Sequence, residues 1–169
     1  MNIYQKGRNS FESEGWLLGQ ICSYDIVNLF DCGDDDLNEY FREDAAKHKE
    51  QLLSKTYFFT KATGEKFPVA LADLCNDSVR REKFKESPEL KSFCETKHYL
   101  SYPAVKITRL GVHKAFQRQN VGTFVINMIK QLFLMDNRTG CRFLTVDAYN
   151  RDGIPDFYRR NDFQFFYDQ

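Results

Sequence analysis

The chain has 169 residues, enough for one domain that buries roughly 70% of the surface its unfolded form exposes. Its 42% hydrophobic and 15% aromatic content excludes a disordered chain. Twenty-four basic residues cancel 24 acidic ones, which excludes a global field that would draw the protein to nucleic acid or an anionic membrane, so any polyanion site must be local.

The five cysteines, at positions 22, 32, 75, 94 and 141, are odd in number and widely spaced. That fits neither a disulfide framework nor a zinc ribbon and points to reduced thiols in a cytoplasm. The opening Met-Asn-Ile-Tyr-Gln-Lys-Gly lacks the apolar stretch of a signal peptide, and no long apolar run follows, so export and membrane spanning are not expected. Four prolines, no repeat and no Gly/Ser linker give no boundary for a second domain, so residues 1–169 read as one domain.

In chain order, Trp16 to Cys22 reads as a short first strand. Acids at Asp31 and Asp34 to Asp36 crowd a helix start, with Lys47, His48 and Lys49 near the other end, as the macrodipole prefers. Leu37, Tyr40, Phe41, Ala45 and Leu52 would form its buried face. Tyr57 to Ala62 and Phe67 to Leu74 flank Thr63-Gly64-Glu65-Lys66 as a β-hairpin. Val79 to Glu95 reads as two short helices, the second opened by Ser87-Pro88-Glu89, inserted between strands as a lid. Ala104 to Val112 reads as a strand. The apolar stripe Val121, Phe124, Val125, Met128, Ile129, Leu132 and Phe133 has the 3.6-residue period of a helix packed on a sheet, ended by Arg138-Thr139-Gly140. A strand over Phe143 to Tyr149, a short helix over Ile154 to Arg160 opened by Gly153 and Pro155, and a last strand over Phe163 to Tyr167 complete the chain.

The segment from His113 to Thr123 carries the strongest chemical signal. A loop entering a helix aims unpaired backbone N–H groups and the positive end of the helix dipole at one point, which favours an anion. Gly122 lets the backbone come close, Asn120 tolerates a left-handed conformation, and Arg118 adds a fixed positive charge. It is neither a Rossmann G-x-G-x-x-G nor a P-loop. His48, His98 and His113 are too scattered for a zinc site or a hydrolase dyad, so no metal is expected. The basic run Arg80, Arg81, Lys83, Lys85 and the pair Arg159, Arg160 read as solvated faces or local polyanion sites.

Gln117-Arg118-Gln119-Asn120-Val121-Gly122 resembles the acetyl-CoA pyrophosphate loop of the GNAT superfamily of N-acetyltransferases, Q/R-x-x-G-x-G/A, with Asn120 in place of the first glycine. Thr108-Arg109-Leu110-Gly111-Val112 is similar to the end of the family's fourth strand. Val146-Asp147-Ala148-Tyr149-Asn150 and Phe157-Tyr158-Arg159-Arg160-Asn161-Asp162-Phe163 look like its fifth strand and its F-Y-x-x-x-G-F signature, with Asp162 for the glycine. Phe30-Asp31-Cys32-Gly33 followed by Leu37 and Tyr40 is similar to the F-D-C-G-x-x-x-L-x-x-Y/F opening of the TacT-like toxin acetyltransferases and their non-toxin relatives.

The resemblance implies an α/β (α+β) single-domain GNAT fold, with a mixed central sheet of about six strands splayed between the fourth and fifth and flanked by helices. It implies acetyl-CoA as cofactor, bound by Gln117, Arg118, Gln119, Asn120, Val121, Gly122 and Thr123 at the pyrophosphate, by the backbone of Leu110, Gly111 and Val112 at the thioester carbonyl, and by Asn150 along the arm. Gly111 would suit a bulge. Tyr158 matches the family's general acid. A thiol titrates at about 8.5 and a phenol at about 10, so a phenol can return the proton to the departing sulfur. The acceptor is a primary amine, on aminoacyl-tRNA in a toxin or on a small molecule or peptide otherwise. Asp73, Glu95 and His98 are the candidates for a base acting through water. An aminoacyl-tRNA acceptor calls for a basic surface built by Arg80, Arg81, Lys83, Lys85, Lys106 and Arg109. A homodimer and, for a toxin, an antitoxin are the further partners implied. The family's seventh strand has no counterpart after Tyr167, whether through truncation, loss or supply by a partner, and this supports the alternative of a coenzyme A-binding module without turnover.

Overall fold

The computed structural model describes residues 4–5, 10–13, 15–20, 24–61, 67–84, 99–135, 139–151 and 153–165. Seven strands pair in chain order: β1 (Tyr4–Gln5), β2 (Ser10–Ser13), β3 (Trp16–Gln20), β4 (Lys55–Lys61), β5 (Ala70–Arg80), β6 (Ser101–Val112) and β7 (Phe143–Val146). The strand at Trp16 is therefore the third, not the first. Two short strands in the polar start precede it, and polar residues gave no apolar alternation by which to read them. The pairs from β1 to β5 are antiparallel, with Trp16 opposite Lys61 and Phe59 opposite Ala70. The hairpin of β4 and β5 forms as its composition predicts, while its turn lies outside the described residues.

By contact the chain divides into two compact units, one drawn from Met1–Cys75 and Ile107–Asp136, the other from Asn76–Lys106 and Asn137–Gln169. Each is taken by itself below.

In the first unit, β5 is buried without interruption from Ala70 to Leu74, the pattern of a strand covered on both faces. The helical region that follows a 3-10 turn at Tyr24–Leu29 consists of α1 (Asp35–Glu39), a π turn (Tyr40–Asp44) and α2 (Ala45–Glu50). Asp34 caps it, its carboxylate accepting from the Leu37 N–H at 3.1 Å, and Asp35 and Asp36 sit in the first turn where the dipole favours them. Tyr40, Phe41 and Ala45 join Val27, Phe30, Cys32 and Leu71 in one core cluster, with Leu37 packed against it.

Leu52 does not belong to that face. It is 88% exposed and left-handed, with φ 59°. Leu53 N–H donates to His48 O at 2.9 Å and Leu52 N–H to Lys49 O at 3.1 Å, which is a Schellman stop with leucine where glycine is usual. The apolar period simply ran on past the helix end.

The longest helix, α4 (Val121–Leu134), buries Val121, Val125, Ile126, Met128 and Ile129. Ile126 widens the expected stripe, and the helix ends at Leu134, four residues before Arg138, with Met135 as its cap.

The second unit packs Val79, Phe84, Tyr102 and Ala104 with Phe143. Phe84 meets Tyr102 edge-on at 5.3 Å and Phe143 at 5.1 Å. Val79 and Arg80 are the end of β5 rather than the start of a helix. A four-residue helix, α3 (Arg81–Phe84), follows, and residues 85–98, where the second lid helix was expected, lie outside those described. Strand β7 stops at Val146, three residues short of Tyr149. Helix α5 (Ile154–Arg159) starts behind Gly153 at φ 79°, with Pro155 in its first turn. Phe163 to Phe165 is not strand, and 166–169 are outside the described residues. Tyr158, the buried residue of that helix, meets the rings of Phe157 and Phe163.

Candidate anion-binding loop and tyrosine-lined cavity

The loop from β6 into α4 contains a short 3-10 turn, Lys114–Phe116, capped by His113, whose Nδ1 accepts from the Ala115 N–H at 3.2 Å. Arg118 and Asn120 both have φ 61°. Phe116 N–H donates to His113 O at 2.8 Å, and the first helical bond runs from Phe124 N–H to Asn120 O at 3.0 Å. Between them, the main-chain N–H groups of Gln117 through Thr123 have no hydrogen-bond acceptor among the described residues. A run of free donors at the start of a 14-residue helix, beside the exposed Arg118, is chemically an anion cradle. Asn120 holds this conformation at low cost, since asparagine is among the few non-glycine residues that enter the left-handed region readily. That Arg118 is left-handed too was not legible, because arginine gives no such sign.

The Phe30–Gly33 segment straps this loop from outside. Lys114 N–H donates to Asp31 O at 2.8 Å, and its ammonium meets Asp31 Oδ2 at 2.6 Å. Asp31 Oδ1 accepts from Gly33 N–H at 2.9 Å and Asn38 Nδ2 at 3.0 Å. The Lys114 bond is the chief cause that holds the Asp31 carboxyl well below its usual range. Gln117 Nε2 donates to Cys32 O at 2.7 Å and Val112 O at 3.0 Å, so its side chain shapes the loop, and only its backbone is left to face an anion. Gln119 Nε2 donates to Ala115 O at 3.1 Å.

Gly111 serves this strap. Strand β6 runs continuously to Val112 through Leu110 and Gly111, and a Cβ on Gly111 would come within 3.0 Å of the Phe30 ring and 3.5 Å of Cys32. Its missing side chain admits Phe30.

Two residues assigned to other work are used inside the first unit. Asp73 is fully buried, and its oxygens accept from Tyr40 Oη at 2.8 Å, Thr56 Oγ1 at 2.7 Å and Thr108 Oγ1 at 2.7 Å. Three hydroxyl donors make it a structural carboxylate, sealed from solvent, and not a base. Glu95 and His98 are outside the described residues. Arg109 lies 4.8 Å over the Tyr40 ring and donates to Thr108 O at 2.9 Å, with its Nε buried, so it does not build a basic surface for tRNA.

In the second unit a cavity of about 550 Å³ is lined by residues of β5, β6, β7 and α5, including Asn150 and Tyr158. Tyr158 is 7% exposed, with Phe157 at 5.1 Å and Phe163 at 5.3 Å, both edge-on. Burial pushes its phenol up to about 12, so it stays protonated at neutral pH. Its hydroxyl has no hydrogen-bond partner among the described residues. Asn150 is exposed in the segment after β7. Asp162, which replaces the signature glycine, is left-handed at φ 66°. Phe163 N–H to Tyr158 O and Asp162 N–H to Arg159 O, both 3.1 Å, make another Schellman stop. The cavity also holds Asp77 and Thr145, which no motif or spacing singles out.

This architecture is the fold of the GNAT acetyltransferases. Among solved structures it is similar to AtaT complexed with acetyl-methionyl-tRNAfMet, at 20% identity and a TM-score of 0.69, covering 86% of this chain and 84% of that one. It is also similar to a tyrosine-to-phenylalanine mutant of KacT, at 22% identity and a TM-score of 0.67, covering 87% and 85%. A third similar structure, AtaTR bound with AcCoA, has 20% identity and a TM-score of 0.63, covering 88% and 84%. No protein-family model matches the chain, and no curated protein sequence matches it. No described helix is long and apolar enough to cross a membrane.

Proposed function

We propose that the protein is an acetyl-CoA-dependent N-acetyltransferase acting on a primary amine. The observation that carries this reading is the run of free N–H groups from Gln117 to Thr123 behind a left-handed Asn120. A diphosphate is the coenzyme A group such a run fits, and the free donors with Arg118 are the observation by which the residues present suit it. The cofactor supplies an activated acetyl thioester. The loop's own part is to anchor, through the backbone of Gln117 to Thr123, with the backbone of Leu110 to Val112 as the oxyanion donors and Asn150 along the arm. Tyr158 is the proton donor: its hydroxyl, protonated and unclaimed by any described residue, gives its proton to the departing sulfur.

The acceptor is argued from less. AtaT is complexed with an acetylated aminoacyl-tRNA, a KacTA–DNA complex has been solved, and AtaT also binds an antitoxin, AtaR. Those partners favour the toxin version, with aminoacyl-tRNA as acceptor, an antitoxin as regulator and the exposed Arg80 as a phosphate contact.

An acetyl-CoA consumption screen against amine pools that include charged tRNA tests the activity. Tyr158→Phe is expected to lose about 10²–10⁴-fold in turnover and to bind acetyl-CoA as the parent does. A variant that turns over normally removes Tyr158 from the mechanism. A wild-type protein that binds acetyl-CoA and acetylates no amine is instead a coenzyme A-binding module.

A further inference from the structure

We propose that the cavity of the second unit contains an ammonium subsite centred on Asp77, and that the acceptor is a primary amine presented as its cation on a compact apolar body. The proposal rests on the acyltransferase reading for what the subsite is for.

A cavity of about 550 Å³ is the size of a small-ligand site. Asp77 lies in its wall with a side chain 26% exposed. Its Oδ1 accepts from the Ser78 N–H at 2.8 Å and its Oδ2 from Thr145 Oγ1 at 2.7 Å. These two bonds fix the carboxylate, and a carboxylate has about four lone-pair positions, so the group is oriented and still has acceptor capacity. The nearest cation, Lys106 Nζ, stands 3.8 Å from Asp77 and 2.8 Å from Asp147. The lysine's direct partner is therefore Asp147, which is 84% exposed, and Asp77 is neutralised only at a distance. Within this array two carboxylates face one ammonium.

The other cations of the cavity wall have partners of their own. Arg159 pairs with Asp156 at 2.9 Å and lies 4.7 Å over the Phe165 ring, and Lys83 has an interaction of its own.

A second observation is independent of the charges. Tyr158, more than nine-tenths buried, lines the same cavity with a hydroxyl that no described residue engages. The hydroxyl itself opens to the cavity, so it can donate to or accept from a ligand held there. The remaining wall includes Val79, Leu144, Val146 and Phe163, which suits a short apolar group attached to the amine. A cation held by Asp77 and an apolar body against those side chains describe an α-amino acyl group or a small amine of that form.

The test is direct binding to the full chain. Leucinamide and 2-hydroxy-4-methylpentanamide share one body and differ by an amine in place of a hydroxyl. At pH 6.5 an α-amino group, with a pKa of about 8, is an ammonium. Calorimetric titration is expected to show leucinamide bound at least about ten-fold more tightly, with the preference falling to within about two-fold in Asp77→Asn. Thr145→Val, which keeps the charge and frees its orientation, is expected to lose about three-fold of the preference. Equal affinity for the two compounds in the wild type, binding of neither, or a preference unchanged in Asp77→Asn would each overturn the subsite. If Asp77→Asn does not fold, Thr145→Val and Asp77→Glu decide: a preference lowered in the first and kept in the second supports the subsite, and one unchanged in Thr145→Val overturns it. Failure of the acyltransferase reading appears separately, as absence of acetyl transfer while the preference persists.

Discussion

At the scale of single residues, the two departures from the family's glycine pattern explain themselves. Asn120 and Asp162 both hold positive φ, at 61° and 66°, where an L-residue is strained and Asn and Asp are the tolerated exceptions. The conformation is kept although the glycine is not. Asn120→Gly is therefore expected to bind acetyl-CoA as the parent does, whereas Asn120→Val should weaken binding by about ten-fold or more, since a β-branched residue resists this conformation at about 1–2 kcal/mol. Calorimetric titration of acetyl-CoA into the three proteins checks both. The loop was legible because its residues are chemically unusual for their place. Asp77 and Thr145 were not, since aspartate and threonine on strands are ordinary, and only pairing across β5, β6 and β7 brings them to one wall. Asp73 misled for the opposite reason: a carboxylate in an apolar strand looks catalytic until its three hydroxyl donors are seen.

Among elements, what decided success was whether an end had its own signal. The start of the first long helical region was legible from Asp34 to Asp36, and that of α5 from Gly153 and Pro155. Its far end was not, because Leu52 continues the apolar period and only its left-handed φ stops the helix. Leu52→Gly removes that strain and loses no burial, as the side chain is 88% exposed. Against the greater freedom glycine gives the unfolded chain, the net is expected to be a stabilisation of about 0.5–1 kcal/mol, a rise of about 1–4 °C in Tm by thermal melting. Gly111→Ala should act the other way, by about 1–3 kcal/mol, because Phe30 must move to admit a methyl group.

For the molecule as a whole, the buried phenol links ionisation to stability. The Tyr158 pKa is raised from 10 to about 12, so its contribution is fully present below the unfolded value near 10 and is lost as pH rises through the folded one. The loss amounts to about 2–3 kcal/mol. Urea midpoints are expected to fall more between pH 9 and 12 for the wild type than for Tyr158→Phe, which has nothing to ionise there. Asp31 behaves in the contrary sense. Its pKa is depressed chiefly by Lys114, so its ion pair is intact above the ordinary carboxylate value and is lost only as pH falls through the lowered one. The strap on the loop thus persists across the neutral range.

That strap has a kinetic consequence. With Gln117 already tied to Cys32 and Lys114 to Asp31, little rearrangement separates the ligand-free loop from its bound form. Capture of a coenzyme should be a single-step encounter, with a rate that slows as ionic strength screens Arg118 and no slower isomerisation following it.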